Sequence, residues 1–342
     1  MNCAPLATLQ RYPEIWCNIR QINCHDADGA RDNTLHRAGG GSIAQRTQDS
    51  AMAQPRYDRT LEDIGNIVGL GHVNTAIPRQ RLSTLFYVTG LGLTRDPFIN
   101  TGIDNMWINV GQSQLHLPTG RTEVLRGITG LVVPDRAALL ARLAAVRAPL
   151  AGTSFDFRER NDCIETVSPW GNRIHCHAPD PERFGPIALG MPYVQFDVRP
   201  GTAEGIARFY REVLAAPAEL LDDGSAPRAR VMVGAKQHFE FRETDAPEAA
   251  FDGHHVQIDV ADFSGPHHRL QELGLVTEES SQHQYRFKDI VDPDTRRVLF
   301  TIEHEVRSMQ HPMYARALIN RNPAQTGMSY HSGRNSLPWS ME

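Results

Sequence analysis

The sequence predicts an α+β fold in which a βαβββ unit of roughly 55–65 residues occurs four times. Three observations lead to this prediction. Four strand-like segments of similar pattern recur along the chain, a helical pattern of apolar residues follows each of them, and short β runs come after each helix. A single unit would leave one edge and one face of its sheet uncovered. We therefore expect the units to pair into two domains, each with a curved sheet that forms a cup.

The first strand of each unit is predicted by the recurring segment. The four copies are HVNTAIPR from His72, ITGLVVPD from Ile128, YVQFDVRP from Tyr193 and HVQIDVAD from His255. Each copy has an aliphatic residue five places after its first residue and then a polar or proline-containing turn, which is typical of a short strand.

The helix of each unit is predicted by apolar residues at helical spacing, and residues that end helices follow. The four apolar sets are Leu82, Leu85 and Phe86; Leu139, Leu140, Leu143 and Val146; Ile206, Phe209, Tyr210 and Val213; and Leu270 and Leu273. The β runs after the helices are MWINV and SQLHL; FDFRE, CIETV and NRIHC; ARVMV and QHFEF; and YRFKD and RVLFTIE.

The order of the units suggests that neighbours along the chain pair. We expect one domain over 66–180, a proline-containing linker over 181–190, and a second domain over 191–306. Residues 1–51 are polar and glycine-rich and are predicted to be a disordered leader, with Met52 as a candidate functional start. Residues 307–342 form a basic C-terminal tail.

Composition narrows the function classes. The 342 residues are 40% hydrophobic and 22% charged with a net charge of −5, so nothing indicates general affinity for nucleic acid or an anionic membrane. The sequence shows no apolar run of bilayer length and no secretory signal, and the five cysteines do not cluster as metal ligands. Free thiols favour a reducing, cytoplasmic location.

Phosphate-loop, dinucleotide and nucleophile-elbow motifs are absent from the sequence, so we expect a small-molecule substrate. A homo-oligomer is compatible with the open sheet edges.

Several motifs resemble the vicinal-oxygen-chelate superfamily, which includes glyoxalases, bleomycin- and fosfomycin-resistance proteins and extradiol ring-cleaving dioxygenases. The resemblance covers residues 66–306. It is carried by GHVNTAI with FYVTGLGL, by ARFYREVLAA, by SPWGNRIHCHAPD, and by GHHVQIDV with DPDTRRVLFTIEHE. The layout of four units in two domains is similar to that of the extradiol dioxygenases.

The resemblance implies a metal inside the cup, with ligands from the first and last strands of the units. The first-strand positions hold His72, Ile128, Tyr193 and His255, and the last-strand positions hold His116, His175, Glu240 and Glu303, each 44 to 48 residues further on. Side chains alternate along a strand, so Glu305 shares a face with Glu303, and the choice between them stays open.

The expected domains thus divide the candidate ligands. His72, His116 and His175 fall in the first domain, and Glu240, His255 and Glu303 in the second, which the extradiol precedent favours. Such donors suit a divalent metal, Fe(II) first and Mn, Zn or Ni as alternatives. Neither expected domain holds a clean two-histidine, one-carboxylate set.

Three further residues are candidates for catalytic roles. Tyr193 stands where extradiol enzymes carry a histidine and is expected to pack or to hydrogen-bond near the metal. Tyr285 lies near the position of an outer-sphere tyrosine, and His254 is a candidate for proton transfer.

The resemblance implies a metal-dependent oxidoreductase, an Fe(II) extradiol-type dioxygenase that acts on a small substrate with vicinal oxygens. The alternatives are a glyoxalase-like lyase or isomerase and a metal-free, resistance-type protein that binds a small ligand.

Overall fold

The computed structural model describes residues 57–99, 102–222, 224 and 226–321. The predicted leader, Met52 and the end of the tail lie outside these residues. Within the described part, no helix has the length and apolar character needed to cross a membrane. Cys163 and Cys176, the two cysteines in this part, are buried and free, as predicted.

The repeated βαβββ unit is confirmed four times. The elements of the first unit are β1 (Ile67–Asn74), α1 (Gln80–Ser83) with a π-helical turn (Thr84–Gly90), β2 (Thr94–Arg95), β3 (Asn105–Val110) and β4 (Ser113–Pro118). Those of the second are β5 (Gly127–Val132), α2 (Arg136–Val146), β6 (Asp156–Glu159), β7 (Ile164–Val167) and β8 (Arg173–His177).

The third and fourth units follow a short helix, α3 (Pro181–Phe184). The third unit contains β9 (Gly190–Val198), α4 (Ala203–Val213), β10 (Ala218–Leu221), β11 (Arg228–Gly234) and β12 (Gln237–Glu243). The fourth contains β13 (His255–Val260), α5 (Ser264–Glu272), β14 (Val276–Ser281), β15 (Gln284–Val291) and β16 (Val298–Ser308). The sequence pattern did not predict β2, β10 and β14, because these edge strands are largely exposed and lack apolar alternation.

The strands form two eight-stranded sheets. Their orders are β14-β15-β16-β13-β1-β4-β3-β2 and β10-β11-β12-β9-β5-β8-β7-β6. The first sheet therefore combines the first and fourth units, and the second sheet combines the second and third. We call the sheet faces that carry His72 and Tyr193 the first cup and the second cup, respectively.

This pairing differs from the expected pairing of consecutive units. β1 pairs with β13 and β5 with β9, so the predicted linker at 181–190 joins two units of one sheet. Close contacts at glycines accompany both pairings. A Cβ at Gly127 would lie 1.7 Å from the backbone oxygen of Gln195, and one at Gly71 would lie 1.6 Å from Gln257 Oε1. Periodicity alone does not show which edges fit one another so closely.

The two sheets share one hydrophobic core. Phe300 on β16 of the first sheet lies 5.8 Å from Phe196 and 6.0 Å from Phe241 of the second sheet, measured between ring centroids. Tyr210 of α4 packs on the same cluster and contacts Phe241 at 5.6 Å. The apolar faces of both sheets pack into this core, and their polar faces point away from it.

Asn66, just before β1, joins three parts of the chain. Its side-chain amide donates to the backbone oxygens of Leu214 at 3.1 Å and Asp262 at 3.0 Å, and its oxygen accepts from the Asp262 backbone N–H at 2.6 Å. Asn66 is buried, so these backbone groups have little access to water.

We predict that Asn66→Ala lowers the free energy of unfolding by about 2–3 kcal/mol, because it leaves buried backbone groups without partners. Urea denaturation measures the loss, and Asn161→Ala, at an exposed asparagine, is the matched control. Equal stability of the two variants would contradict this role of Asn66.

Candidate metal centre

Three histidines converge in the first cup. His72 on β1, His116 on β4 and His255 on β13 each offer a ring nitrogen, and these atoms lie within 4.8 Å of one another. The sheet order explains the convergence, because β1 lies between β4 and β13 and Asn74 is in register with both His116 and His255. The Nε2 atoms of His72 and His255 are 3.4 Å apart.

Burial keeps these imidazoles neutral. It lowers the pKa of His72 and of His255 well below the ordinary value, and it lowers the pKa of His116 to about 3. The positive charges of Arg286 and Arg307 lower all three further. A neutral imidazole has one nitrogen lone pair that can bind a metal.

His116 is held so that one ring nitrogen remains available. Its ring stacks on Trp107 with centroids 3.8 Å apart, and its Nδ1 lies 2.7 Å from Asn74 Nδ2. In this orientation the amide nitrogen donates to Nδ1; in the flipped orientation of the amide, Oδ1 accepts from Nδ1–H and the lone pair is on Nε2. That Nε2 is buried and has no hydrogen-bond partner among the described residues. An unpartnered buried nitrogen is costly, and a metal ion would satisfy it.

Two glutamates of β16 lie beside the histidines. Glu303 Oε1 is 3.7 Å from His255 Nδ1, and Glu305 Oε2 is 3.6 Å from His255 Nε2. Arg286 donates to both glutamates, and Arg307 pairs with Glu305 at 2.6 Å. The two carboxylates and two guanidinium groups cancel in formal charge. Three neutral imidazoles with an adjacent carboxylate fit a divalent transition metal.

The other two predicted ligands lie in the second sheet. His175 is on β8, and Glu240 on β12 lies 3.6 Å from both Arg228 and Arg230. The six candidates are therefore divided by sheet and not by consecutive units. The first cup holds His72, His116, His255 and Glu303, because the first and fourth units pair.

The three catalytic candidates occupy different surroundings. Tyr193 is in the second cup, with its hydroxyl 2.9 Å from His177 Nε2. Tyr285 is next to Arg286, which faces the first cup, so its buried ring points to the opposite face and packs on Phe263 and His267.

His254 directly precedes β13 and is fully buried. Its Nδ1 is 2.6 Å from Asp252 Oδ1, and its Nε2 has no hydrogen-bond partner in the described chain. Asp252 thus fixes the orientation of the ring.

Sequence reasoning missed Trp107, Asn74, Arg286 and Arg307. The available signal was alternation, since Arg286 and Arg307 share strand faces with cup residues. This alternation could identify the two arginines only after it was known which units share a sheet.

No protein-family model matches the sequence, and no curated protein is similar to it at the level required for a match. The fold does match solved structures. Glyoxalase I from Zea mays aligns with a TM-score of 0.50 at 13% identity, over 70% of this chain and 92% of that one.

Two other solved structures align less closely. A Bacillus subtilis protein provisionally described as a dioxygenase gives a TM-score of 0.49 at 14% identity, over 72% and 87% of the two chains. The 2,2',3-trihydroxybiphenyl 1,2-dioxygenase of Sphingomonas wittichii gives 0.29 at 12%, over 71% and 90%. This chain has two eight-stranded sheets and aligns with the maize protein. We conclude that it has the vicinal-oxygen-chelate fold.

A pH dependence follows from His177 in the second cup. Burial, with the nearby charge of Arg183, lowers its pKa from 6.5 to about 4. Below pH 6.5 the unfolded chain takes up a proton that the folded chain resists, so acid favours unfolding until about pH 4. We predict that in this window the wild-type protein loses about 1.4 kcal/mol per pH unit more than His177→Gln does.

Urea denaturation at a series of pH values measures this slope. His268→Gln, at an exposed histidine, is the control and should follow the wild type. Parallel curves for the wild type and His177→Gln would contradict the prediction.

Proposed function

We propose that the protein is a metal-dependent enzyme whose first cup binds a divalent ion through His72, His116 and His255. The observation that supports this most strongly is the convergence of three neutral imidazoles around the unpartnered Nε2 of His116. Glu303, the register partner of His255, is the proposed carboxylate ligand, and Glu305 is the alternative, because its Oε2 lies 3.6 Å from His255 Nε2, the nitrogen that faces His72.

The first candidate activity is that of an Fe(II) extradiol-type dioxygenase. His72 and His255 with Glu303 or Glu305 would form a two-histidine, one-carboxylate set, which is characteristic of non-haem Fe(II) oxygenases. A bound metal would supply Lewis-acid stabilisation of the negative charge on two vicinal substrate oxygens.

The chain's own residues have distinct proposed roles. Trp107 and Asn74 orient His116, and Arg286 holds Glu303 and balances its charge. His254, whose Nδ1 is fixed by Asp252, is fully buried beside His255 and is proposed to support the position of that ligand.

The second candidate is a glyoxalase-like isomerase or lyase. His116 favours this activity, because it adds a fourth donor to the two histidines and the carboxylate. A set of four such donors suits Zn or Ni, which are redox-silent here, and also Mn. In this activity Glu303 or Glu305 would move the proton.

We predict about one equivalent of metal per chain after purification without oxygen or chelator. His72→Ala and His255→Ala should each lower metal affinity at least tenfold, because each removes a ligand from the centre of the cluster. His175→Ala, in the second cup, is the matched control and should retain the metal. Mass spectrometry of metal content measures the outcome.

The absence of metal from the wild type, even after reconstitution, would overturn the enzyme proposal and favour a ligand-binding cup. Oxygen uptake with catechols by the Fe(II)-loaded protein would support the dioxygenase. Inertness to oxygen, with deuterium exchange into an α-hydroxyketone by the Zn- or Ni-loaded protein, would support the isomerase.

A further inference from the structure

The chain crosses the first cup after its last strand. It leaves β16 at Ser308 and reaches the turn between β3 and β4, where Asn320 accepts from the Gly111 backbone N–H at 3.0 Å and donates to the Gly111 oxygen at 2.9 Å. In the sheet order, β13, β1 and β4 lie between these two points. We call residues 309–320 the strap.

The strap lies on the face of the sheet that carries the histidines. Arg307 Nη1 lies 3.8 Å from Met313 Sδ, and the Asn109 side-chain amide donates to the Ile319 backbone oxygen at 2.8 Å. Arg307 and Asn109 each lie two places along their strands from a residue of the cup, and side chains two places apart share a face. The strap therefore contacts the cup face on both sides of the histidines.

An ion pair holds the strap beside His72. Arg316 Nη2 donates to Asp96 Oδ2 at 2.6 Å, and the same oxygen accepts from Gln114 Nε2 at 3.1 Å. Gln114 is the register partner of His72. The side chain of Asp96 is fully buried, and a buried carboxylate is costly unless a cation pairs with it. We call the Arg316–Asp96 pair the latch.

The matching positions of the second cup are more open. Arg242 and Glu240 on β12 occupy the register positions that Arg307 and Glu305 occupy on β16. The exposed fraction of the side chain is 43% for Arg242 and 9% for Arg307. It is 17% for Glu240 and 4% for Glu305. The first cup is thus the more closed of the two at the positions where the strap crosses it.

The strap also contains a strained residue next to the latch. Ala315, which directly precedes Arg316, has a φ of 50°, in the left-handed region. This conformation is unfavourable for a residue with a Cβ. The latch therefore holds the strap against a local strain, and its loss favours another path of the chain.

We propose that the strap closes the first cup over the histidines and opens when the latch is released. The latch would then control how fast small solutes and metal ions exchange with the cup. The part that concerns metal rests on the proposed function, and the closure itself does not. A strap that covers the cup equally with and without a metal changes entry and exit by the same factor and leaves the affinity unchanged.

The first test needs no metal. Diethyl pyrocarbonate modifies neutral imidazoles, and peptide mass spectrometry of the full chain compares the rate at His116 with that at the exposed His268. Arg316→Gln should raise the rate at His116 about tenfold, the equivalent of one charge-assisted hydrogen bond. Arg81→Gln, at an exposed arginine of α1, is the matched control and should leave the rate unchanged. An unchanged rate in Arg316→Gln would overturn the proposal.

A second variant separates an open strap from a damaged fold. Arg316→Gln combined with Asp96→Asn leaves no unpaired charge at the latch and should give the same rise at His116. Urea denaturation should show cooperative unfolding of both variants. An equal rise at His175, in the second cup, would indicate general loosening of the protein and would overturn the role of the latch.

The second test uses Zn(II) alone. In Arg316→Gln, uptake by the metal-free protein and release to excess chelator should both be about tenfold faster, with unchanged equilibrium affinity. Faster release with weaker affinity would indicate that the strap positions the ligands, and would overturn its role as a closure. Faster modification of His116 in a protein that binds no Zn(II) would support the strap and overturn the proposed metal site.

Discussion

The antiparallel contact between β1 and β13 determines the geometry of the first cup. It joins the first and last units, and the register of Asn74 with His255 brings the Nε2 atoms of His72 and His255 to 3.4 Å from each other. The two histidines are separated by 183 residues in the sequence. The missing side chain of Gly71 provides the space that Gln257 occupies in this contact.

The two cups show how one repeated unit gives different electrostatic surroundings. In the first cup the half-buried carboxylate of Glu303 and the buried one of Glu305 are matched by Arg286 and Arg307, and burial keeps the imidazoles neutral. Such buried pairs cost desolvation energy and depend on complete hydrogen bonding. In the second cup Arg228, Arg230 and Arg242 pair with Glu240, Glu219 and Asp197 on the surface of the sheet. The same strand positions therefore hold three imidazoles in one cup and a network of arginines and carboxylates in the other.

The sequence was sufficient for the local structure and insufficient for the pairing. First strands and helices were predictable because Ile206, Phe209 and Tyr210, for example, recur at a spacing that reports burial on one face. The partner of each unit was not predictable, because it depends on close contacts such as Gly127 against Gln195. The candidate site followed the same division. Spacing singled out His72 and Glu303 as candidates, but it assigned them to different domains. Their position on the same sheet was therefore not predicted.

The pairing of the first unit with the last also fixes the order in which the sheets can be completed during synthesis. The strands of the second sheet all lie within residues 127–243, a continuous stretch of chain. β1 emerges from the ribosome before them, but its partner β13 follows nearly two hundred residues later. Until then one edge of β1 lacks its partner, a state that invites pairing with other chains. The sheet that carries the three histidines is therefore the last to close, and its closure joins the two paired strands that lie farthest apart in the described sequence.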